Sequence, residues 1–203
     1  RAELPPRMLL TQVPFVSQGE GDCGPAALMM AVESSGREVT RAELTAQAMT
    51  FAQNGSLPSD LLSAARRQGL MAMRVERLKG IAEEVRAGHP VIVFQNLGLS
   101  WWPRWHFAVV TGYDLPAQEI ILHSGTTAFG RDPLRFFERT WSLADEWALV
   151  VLPPSQLAAT PGELEHLRAA SALEQLKFTE EAGQAFDAIL QRWPESLGGL
   201  IGA

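Results

Sequence analysis

Hydrophobic and polar positions follow two different periods along the chain, and the period changes near position 90. In the first half, apolar positions recur at helical spacing in three segments, 25–34, 40–49 and 60–68. Thr40 with Glu43 three positions later predicts a capping box at the start of the second helix. For the third helix we expect Ser56 or Ser59 to act as the N-cap.

The second half is dominated by short runs rich in valine and isoleucine. These runs predict strands at 90–94, 106–113, 119–123 and 147–152. A further strand at 70–75 and a short helix at 81–87 precede them, and the segment 13–17 reads as an edge strand or extended loop because of Pro14. Helices followed by strands predict an α+β fold with an antiparallel sheet, rather than alternating βαβ units.

A proline pair separates this first part from a helical C-terminal part. Pro153 and Pro154 predict a boundary, which gives one domain over 1–155 and a second unit over 156–203. Helical patterns cover 162–176 and 180–193 in the second unit.

The second of these helices carries the residues Ala182, Phe186, Ile189 and Pro194, a pattern that resembles the second helix of a tetratricopeptide repeat. A plain helical hairpin is the alternative. One such unit cannot bury its own apolar face, so we expect it to pack on the first domain or on further repeats.

Composition narrows the function classes. The chain has 203 residues, 46% of them hydrophobic and 20% charged, with a net charge of −6. An acidic chain without a basic stripe is not expected to bind nucleic acid, and no apolar run approaches the roughly 18 residues of a membrane span. One cysteine excludes an internal disulfide. The sequence begins at Arg1 rather than Met, from which we expect an upstream segment to have been removed.

The stretch QGEGDCGPAALMM allows two interpretations. Gly19, Gly21 and Gly24 match the spacing G-x-G-x-x-G of a dinucleotide-binding loop. That interpretation needs a strand running directly into the first glycine, which Ser17 and Gln18 interrupt, and a second buried strand downstream, where the sequence is polar. We therefore favour the alternative, in which the loop presents a nucleophile.

Cys23 is the candidate nucleophile, because it lies at the head of the first predicted helix. A helix N-terminus favours the negative charge of a thiolate, and the neighbouring glycines give a substrate carbonyl room to approach. The backbone N–H of Cys23 and the side-chain amide of Gln18 could together stabilise an oxyanion. A buried, inert cysteine is the structural alternative.

A thiolate needs a base, and His106 is the best candidate among four histidines. His106 opens a predicted buried strand behind the motif WWPRW, an arrangement suited to an ion pair with the thiolate. We expect His89 to be solvated in a turn and His166 to lie on the surface of the helical unit. The scattered histidines show no zinc-binding spacing, so neither a metal nor a cofactor is expected.

The motif WWPRW contains three tryptophans, Trp101, Trp102 and Trp105. Such a cluster commonly forms a packed wall or lid. If it lines the cleft, it would hold apolar or aromatic substrate side chains beside His106, and Arg104 could bind a carboxylate.

Three blocks, Gln18 with DCGPAALMM, GHPVIVFQN and HFAVVTGYD, together resemble the C39-like branch of papain-fold cysteine peptidases over residues 12–153. Related domains cleave leader peptides after a double glycine, and a bacterial subgroup carries tetratricopeptide repeats after the peptidase domain. The resemblance implies a helical part with Cys23 as the nucleophile and an antiparallel sheet with His106 as general base, separated by a cleft. It also implies that Gln18 completes the oxyanion hole.

The sequence departs from this family in two places. Gln18 precedes Cys23 by five residues, where six is the common spacing. The acid or amide that usually follows the histidine strand is replaced by His123 or Ser124. Alternatives for that orienting role are Asp114 and Asn96, so a Cys–His dyad or a triad is expected.

These observations support a cysteine peptidase that acts on a peptide or protein. The alternative is a catalytically weak or inactive peptidase-like module that binds a peptide or protein partner through the cleft and the helical repeat. Amidase or transferase chemistry on another acyl group would use the same residues. The resemblance favours the bacterial periplasm or cell envelope, with the cytoplasm as the alternative.

Overall fold

A computed structural model of the chain describes residues 3–19, 21–49 and 55–202. Arg1, where the sequence begins, lies outside them. The elements in chain order are β1 (Arg7–Leu9), α1 (Cys23–Ser34), α2 (Arg41–Ala48), α3 (Pro58–Arg67), β2 (Met71–Arg74), α4 (Arg77–Arg86), β3 (Val91–Asn96), β4 (Trp105–Asp114), β5 (Glu119–Ser124), β6 (Thr127–Pro133), α5 (Leu134–Ser142), β7 (Ala148–Leu152), α6 (Glu163–Gln175), α7 (Thr179–Arg192) and α8 (Leu197–Gly202). In this described part, every helix is too short or too polar to cross a membrane.

The strands of the described chain form one antiparallel sheet. Its order is β2–β7–β3–β4–β5–β6, and β1 pairs with the second half of β4. The β3–β4 pairing aligns Gln95 with His106, and the β4–β5 pairing aligns Val109 with His123. The predicted α+β class with an antiparallel sheet is therefore confirmed, and β4 carries His106 near its first residue.

Helix α1 begins earlier than its pattern predicted. It starts at Cys23 rather than Pro25, which brings the thiol into the first turn. Its alanines, leucine and methionines are strong helix formers, and most of them are buried against the sheet and α2. Gly36, with φ of 82°, ends this segment.

The second and third helices begin in different ways. Thr40 and Glu43 form the predicted capping box of α2. The cap expected for α3 was wrong, because neither Ser56 nor Ser59 is the N-cap. Leu57 holds that position, and its backbone N–H donates to the Asp60 side chain.

Three elements were not predicted from the sequence: β1, β6 and α5. Strand β6 is largely exposed and contains Gly130, so it shows no alternation of apolar residues. Helix α5 buries only Phe137, Thr140 and Trp141 on one face. The segment at 13–17 forms an extended loop rather than a strand.

The C-terminal helices share the core of the sheet domain. Ala169 and Leu173 of α6, and Phe186 and Ile189 of α7, belong to one continuous apolar cluster with the sheet and the first helices. Helix α6 packs on β2 and α3.

A buried carboxylate fixes the linker that leads to these helices. Glu84 accepts hydrogen bonds from the backbone N–H groups of Ala159 and Thr160 and from the Thr160 hydroxyl, and its carboxylate lies 2.8 Å from His89 Nδ1. His89 is thus partly buried and paired, whereas the sequence predicted solvation.

The expectation that His166 lies on the surface of the helical unit was also wrong. Its side chain is buried, with Nδ1 2.8 Å from the Gly162 carbonyl and Nε2 accepting the Ala158 N–H. The side chain thereby joins the start of α6 to the linker.

Candidate active site

Cys23 lies in the first turn of α1, where helix N–H groups have no intrahelical acceptor. Burial raises the pKa of the Cys23 thiol, and the negative charge of Asp22 adds to that rise. The backbone N–H groups of Phe107 and Gly24 act in the opposite direction by stabilising the thiolate, but they do not cancel the effect of burial. Contact with the Phe107 amide brings the thiol against the residue that follows His106.

Close packing holds the loop around Cys23. Gly24 has no space for a side chain, because an added Cβ would overlap Ser56 and lie 3.2 Å from a Leu61 methyl carbon. Arg41 pairs with Asp22 at 2.5 Å and donates to the Ser17 carbonyl at 3.0 Å. The loop is therefore fixed from both sides of the cysteine.

The hydroxyl of Ser124, at the end of β5, is the hydrogen-bonding partner of the His106 side chain. His106 Nε2 and Ser124 Oγ are 2.8 Å apart. In the tautomer with its proton on Nε2, the ring donates to Ser124 and keeps a lone pair on Nδ1. Of the four candidates for the orienting role, Ser124 is thus the one whose side chain is hydrogen-bonded to the His106 ring.

Burial leaves both reactive groups neutral. Desolvation, helped by the positive charge of Arg104, lowers the pKa of His106 to about 4. Since burial also raises the pKa of Cys23, a neutral thiol and a neutral imidazole prevail at pH 7. These pKa shifts disfavour the ion pair that the sequence suggested.

Gln18 is buried, with 7% of its surface exposed, and its amide contacts three backbone segments. Nε2 donates to the carbonyls of Phe107 (3.0 Å) and Cys23 (3.3 Å), and Oε1 accepts the Gly125 N–H at 2.6 Å. The sequence predicted that this amide faces a substrate oxyanion. In the structure both amide hydrogens are directed at main-chain carbonyls.

His123 is buried next to the site but is bonded elsewhere. Its Nε2 lies 3.1 Å from the Val13 carbonyl, and its Nδ1 accepts the Phe129 N–H at 3.1 Å. Both ring nitrogens are therefore occupied by backbone groups, which leaves none for His106.

Asp114 and Asn96 have roles away from the His106 ring. Asp114 ends β4, eight residues or roughly 26 Å along the strand from His106, and it pairs with Arg7 at 2.8 Å. Asn96 shapes the β3–β4 connection, because its Oδ1 accepts the N–H groups of Gly98 and Arg104.

This connection forms a hairpin arm, residues 97–104, that carries most of the tryptophan cluster. Reciprocal backbone hydrogen bonds between Leu99 and Trp102 close its tip. Trp101 and Trp102 are each 77% exposed. Trp105, at the base of the arm, is 51% exposed and stacks on Phe94 with ring centroids 5.1 Å apart. The cluster is thus an exposed surface beside His106 rather than a packed wall.

The sequence interpretation named the backbone N–H of Cys23 but missed two other peptide groups of the site. The Phe107 and Gly125 peptide units contact Cys23 and Gln18, and peptide groups leave no signature in a side-chain pattern. The turn at Gly125 could have been predicted from the sequence, since a glycine directly after a β-strand indicates a turn. Gly125 adopts φ of 58° in the turn between β5 and β6. Among the described residues, no cluster of three or more His, Cys, Asp or Glu side chains could hold a metal ion.

The model of the Peptidase_C39 like family matches residues 10–146 of this chain. The chain belongs to this family. The match covers most of the chain and includes Cys23, His106 and Ser124, whereas α6, α7 and α8 lie beyond it.

Solved structures of low sequence identity share the fold of this chain. A crystal structure of a C39-like peptidase candidate from Bacillus anthracis superposes with a TM-score of 0.62 at 16% identity, covering 72% of this chain and 97% of that one. The peptidase domain of Streptococcus ComA, a bifunctional ABC transporter of a quorum-sensing pathway, gives 0.57 at 21% identity, covering 70% and 99%.

A third structure is a double-glycine motif protease from an AMS/PCAT transporter, in complex with its leader peptide. It gives a TM-score of 0.51 at 21% identity, covering 71% of this chain and 96% of that one. At these identities the three structures establish the fold. No curated protein sequence matches the chain significantly.

Proposed function

We propose that this member of the Peptidase_C39 like family is a cysteine peptidase that hydrolyses a peptide bond through Cys23. One observation carries the proposal: the thiol in the first turn of α1 contacts the Phe107 amide, directly after a histidine whose Nε2 is bonded to Ser124. Nucleophile, base and orienting group then come from α1, β4 and β5, as an acyl-transfer site requires.

The proton chemistry follows from the neutral pair. His106 Nδ1 takes the thiol proton as the sulfur attacks the substrate carbonyl, and the resulting imidazolium protonates the leaving amine when the tetrahedral intermediate collapses. A water molecule then gives a proton to His106 and attacks the thioester, which releases the acid and restores the thiol. Because thiol and imidazole start neutral, the sulfur is activated as the substrate binds.

Stabilisation of the oxyanion is assigned to N–H groups in the first turn of α1. They have no intrahelical acceptors and lie beside the sulfur, where the helix dipole also favours negative charge. The N–H of Cys23 itself belongs to this set. Ser124 orients the imidazole as a neutral acceptor, which is weaker than a carboxylate.

We propose a peptide substrate with apolar side chains held by the hairpin arm. The exposed faces of Trp101 and Trp102 adjoin the strand that carries His106, and large exposed apolar patches mark binding sites. The leader peptide bound by one structural neighbour supports the peptide class. In the same proposal, the helical unit at 156–203 is a tetratricopeptide-like hairpin that binds a protein partner.

A specific observation favours the alternative of a binding module. The imidazole has a hydroxyl partner rather than a carboxylate, and burial disfavours its charged form, so turnover would be slow. Such a module would hold the same peptides without cleaving them.

Peptide cleavage separates the two functions. A library of peptides from a digested proteome is incubated with the wild-type chain, with Cys23→Ala and with His106→Ala, and new peptide termini are identified by mass spectrometry. We expect termini that appear only with the wild-type chain. Retention of the same peptides by the wild type and Cys23→Ala, with no new termini, would establish the binding module instead.

A further inference from the structure

The linker that leads into α6 is held by one side chain from each of three helices. Glu84 of α4 accepts two backbone N–H groups of the segment 158–160, at 2.7 and 3.0 Å. Arg192 of α7 donates to two carbonyls of the same segment, at 2.7 and 3.4 Å. His166 of α6 accepts the remaining N–H, that of Ala158, at 3.1 Å. The backbone of this short segment therefore depends on side chains that lie far apart in the sequence.

The hydrogen bonds of His166 admit only the neutral ring. Because Nε2 accepts the Ala158 N–H, it carries no hydrogen. Nδ1 then carries the ring proton and donates to the Gly162 carbonyl, 2.8 Å away. The side chain is fully buried. A second proton on Nε2 would point at the Ala158 N–H, so the imidazolium would lose this hydrogen bond and leave two buried donors unpaired.

Charged groups reach His166 from three helices, and their effects oppose one another. Burial lowers the pKa of His166, and the positive charge of Arg192 adds to this effect. The hydrogen bond to the backbone carbonyl and the negative charges of Glu84 and Glu165 act in the opposite direction without cancelling burial. His89 is bonded to the carboxylate of Glu84. The closed linker therefore keeps His166 neutral at pH 7.

We propose that protonation of His166 opens the linker, so that acidification loosens the helical unit on the sheet domain. In the open linker the ring is solvated and has the ordinary histidine pKa of about 6.5. Because the pKa in the closed linker is the lower one, the closed form is fully stable above about pH 6.5 and loses stability as the pH falls below that value.

Glu84 responds at a different pH. Its contribution weakens only below about pH 4.3, the ordinary pKa of a glutamate. Among the side chains that bond the linker backbone, His166 is thus the one that responds to acid between these two values. None of the proposed catalytic residues takes part, so the opening is independent of peptide cleavage.

Hydrogen–deuterium exchange measures this opening locally. Exchange of the backbone amides at 156–162 is followed by mass spectrometry between pH 5 and pH 7, and each rate is divided by the intrinsic exchange rate at that pH. We expect the protection of the linker amides to fall by about tenfold per pH unit below about pH 6.5, until the folded pKa is reached. Amides of β3 and β4, which exchange on global unfolding, should stay far better protected at every pH.

Two glutamine variants assign the response to one histidine. His166→Gln keeps a hydrogen-bond acceptor and a donor but does not titrate, so its linker protection should be independent of pH in this range. His123→Gln is the matched control, because the His123 ring is also buried and bonded to two backbone groups, on β5 rather than at the linker. It should retain the pH response of the linker.

An unchanged protection of the wild-type linker between pH 7 and pH 5 would overturn the inference. A decline in His166→Gln equal to that of the wild type would do the same. Linker amides as well protected as those of β3 and β4 would show that the linker opens only when the whole domain unfolds, which also contradicts a local opening. If His166→Gln does not fold, the wild-type comparison of linker and sheet amides still decides the question.

Discussion

The imidazole Nε2 of His106 lies 2.8 Å from the hydroxyl oxygen of Ser124. A hydroxyl orients an imidazole, but it cannot stabilise the imidazolium as a carboxylate does. The strength of this one hydrogen bond bears directly on how fast the proposed peptidase can act.

Replacing Ser124 therefore tests whether its hydroxyl orients the His106 ring. A neutral hydrogen bond contributes about 1 kcal/mol, so Ser124→Ala should lower kcat about fivefold. Ser124→Asp should instead raise the pKa of His106, because the imidazolium gains an ionic partner. Ser142→Ala, which removes an exposed hydroxyl bonded to the Arg139 carbonyl, is the control. Equal cleavage rates for Ser124→Ala and wild type would contradict an orienting role.

The pH dependence of cleavage follows from the His106 pKa of about 4. Only the neutral imidazole accepts the thiol proton, and it persists down to the lowered pKa. Activity should therefore fall on acidification with a midpoint near pH 4 rather than near 6.5, measured as kcat/KM against pH. Arg104→Gln should move this midpoint upward, since it removes a positive charge that disfavours the imidazolium. An acidic midpoint above pH 6 would show that the ring is solvated.

The hairpin arm should determine affinity rather than rate. Removing an aromatic contact of a binding site costs about 1–2 kcal/mol, so Trp101→Ala and Trp102→Ala should each raise KM about tenfold for peptides with apolar side chains and leave kcat unchanged. Leu176→Ala alters an exposed apolar residue of the helical unit and serves as the control. An unchanged KM in both tryptophan variants would remove the arm from the substrate site.

We expect Glu84 to contribute strongly to the free energy that holds the helical unit on the sheet domain. Glu84→Ala leaves the partly buried N–H groups of Ala159 and Thr160 without their carboxylate acceptor, which should lower the free energy of unfolding by on the order of 3 kcal/mol in urea. Glu83→Ala, which loses a partly exposed pair with Lys79, should change it by less than about 0.5 kcal/mol. Similar losses in both variants would show that Glu84 does not fix the linker.

The same carboxylate predicts a dependence of stability on pH. Burial alone raises the pKa of Glu84, but hydrogen bonds from His89, Ala159 and Thr160 outweigh it and leave the pKa below its ordinary value. Because the folded pKa is the lower one, the stabilisation is complete above the unfolded pKa, about 4.3, and declines as the pH falls through the folded value. Urea unfolding of Glu84→Gln should show a weaker decline over this range than wild type.

The packing of Gly24 against Ser56 gives a paired test of the cysteine loop. Gly24→Ala introduces a Cβ that overlaps the Ser56 side chain, and overpacking of this kind costs about 1–3 kcal/mol. Adding Ser56→Gly removes the overlapping atoms and should recover most of the lost stability. Failure of the double variant to recover, measured by thermal melting, would place the strain elsewhere.

Much of the fold could be predicted from periodicity, because the elements that build the core bury a regular face. Strands β3, β4, β5 and β7 show this clearly. Strand β6 and helix α8 could not be predicted in this way, since β6 is mostly exposed and α8 packs through glycines. Gly198, Gly199 and Gly202 approach side chains of α6 and α7 so closely that the apolar residues of α8 point outward.

The sequence by itself determined the class of fold, the family and the candidates Cys23 and His106, because these depend on local patterns and residue types. Tertiary structure alone decided which side chain is hydrogen-bonded to His106, which direction the Gln18 amide faces and which histidines are buried. Each of these depends on hydrogen bonds between residues distant in sequence, such as His106 with Ser124 and Gln18 with Phe107. Folding decides those pairings, because only the packed sheet brings α1, β4 and β5 to one place and removes their polar groups from water.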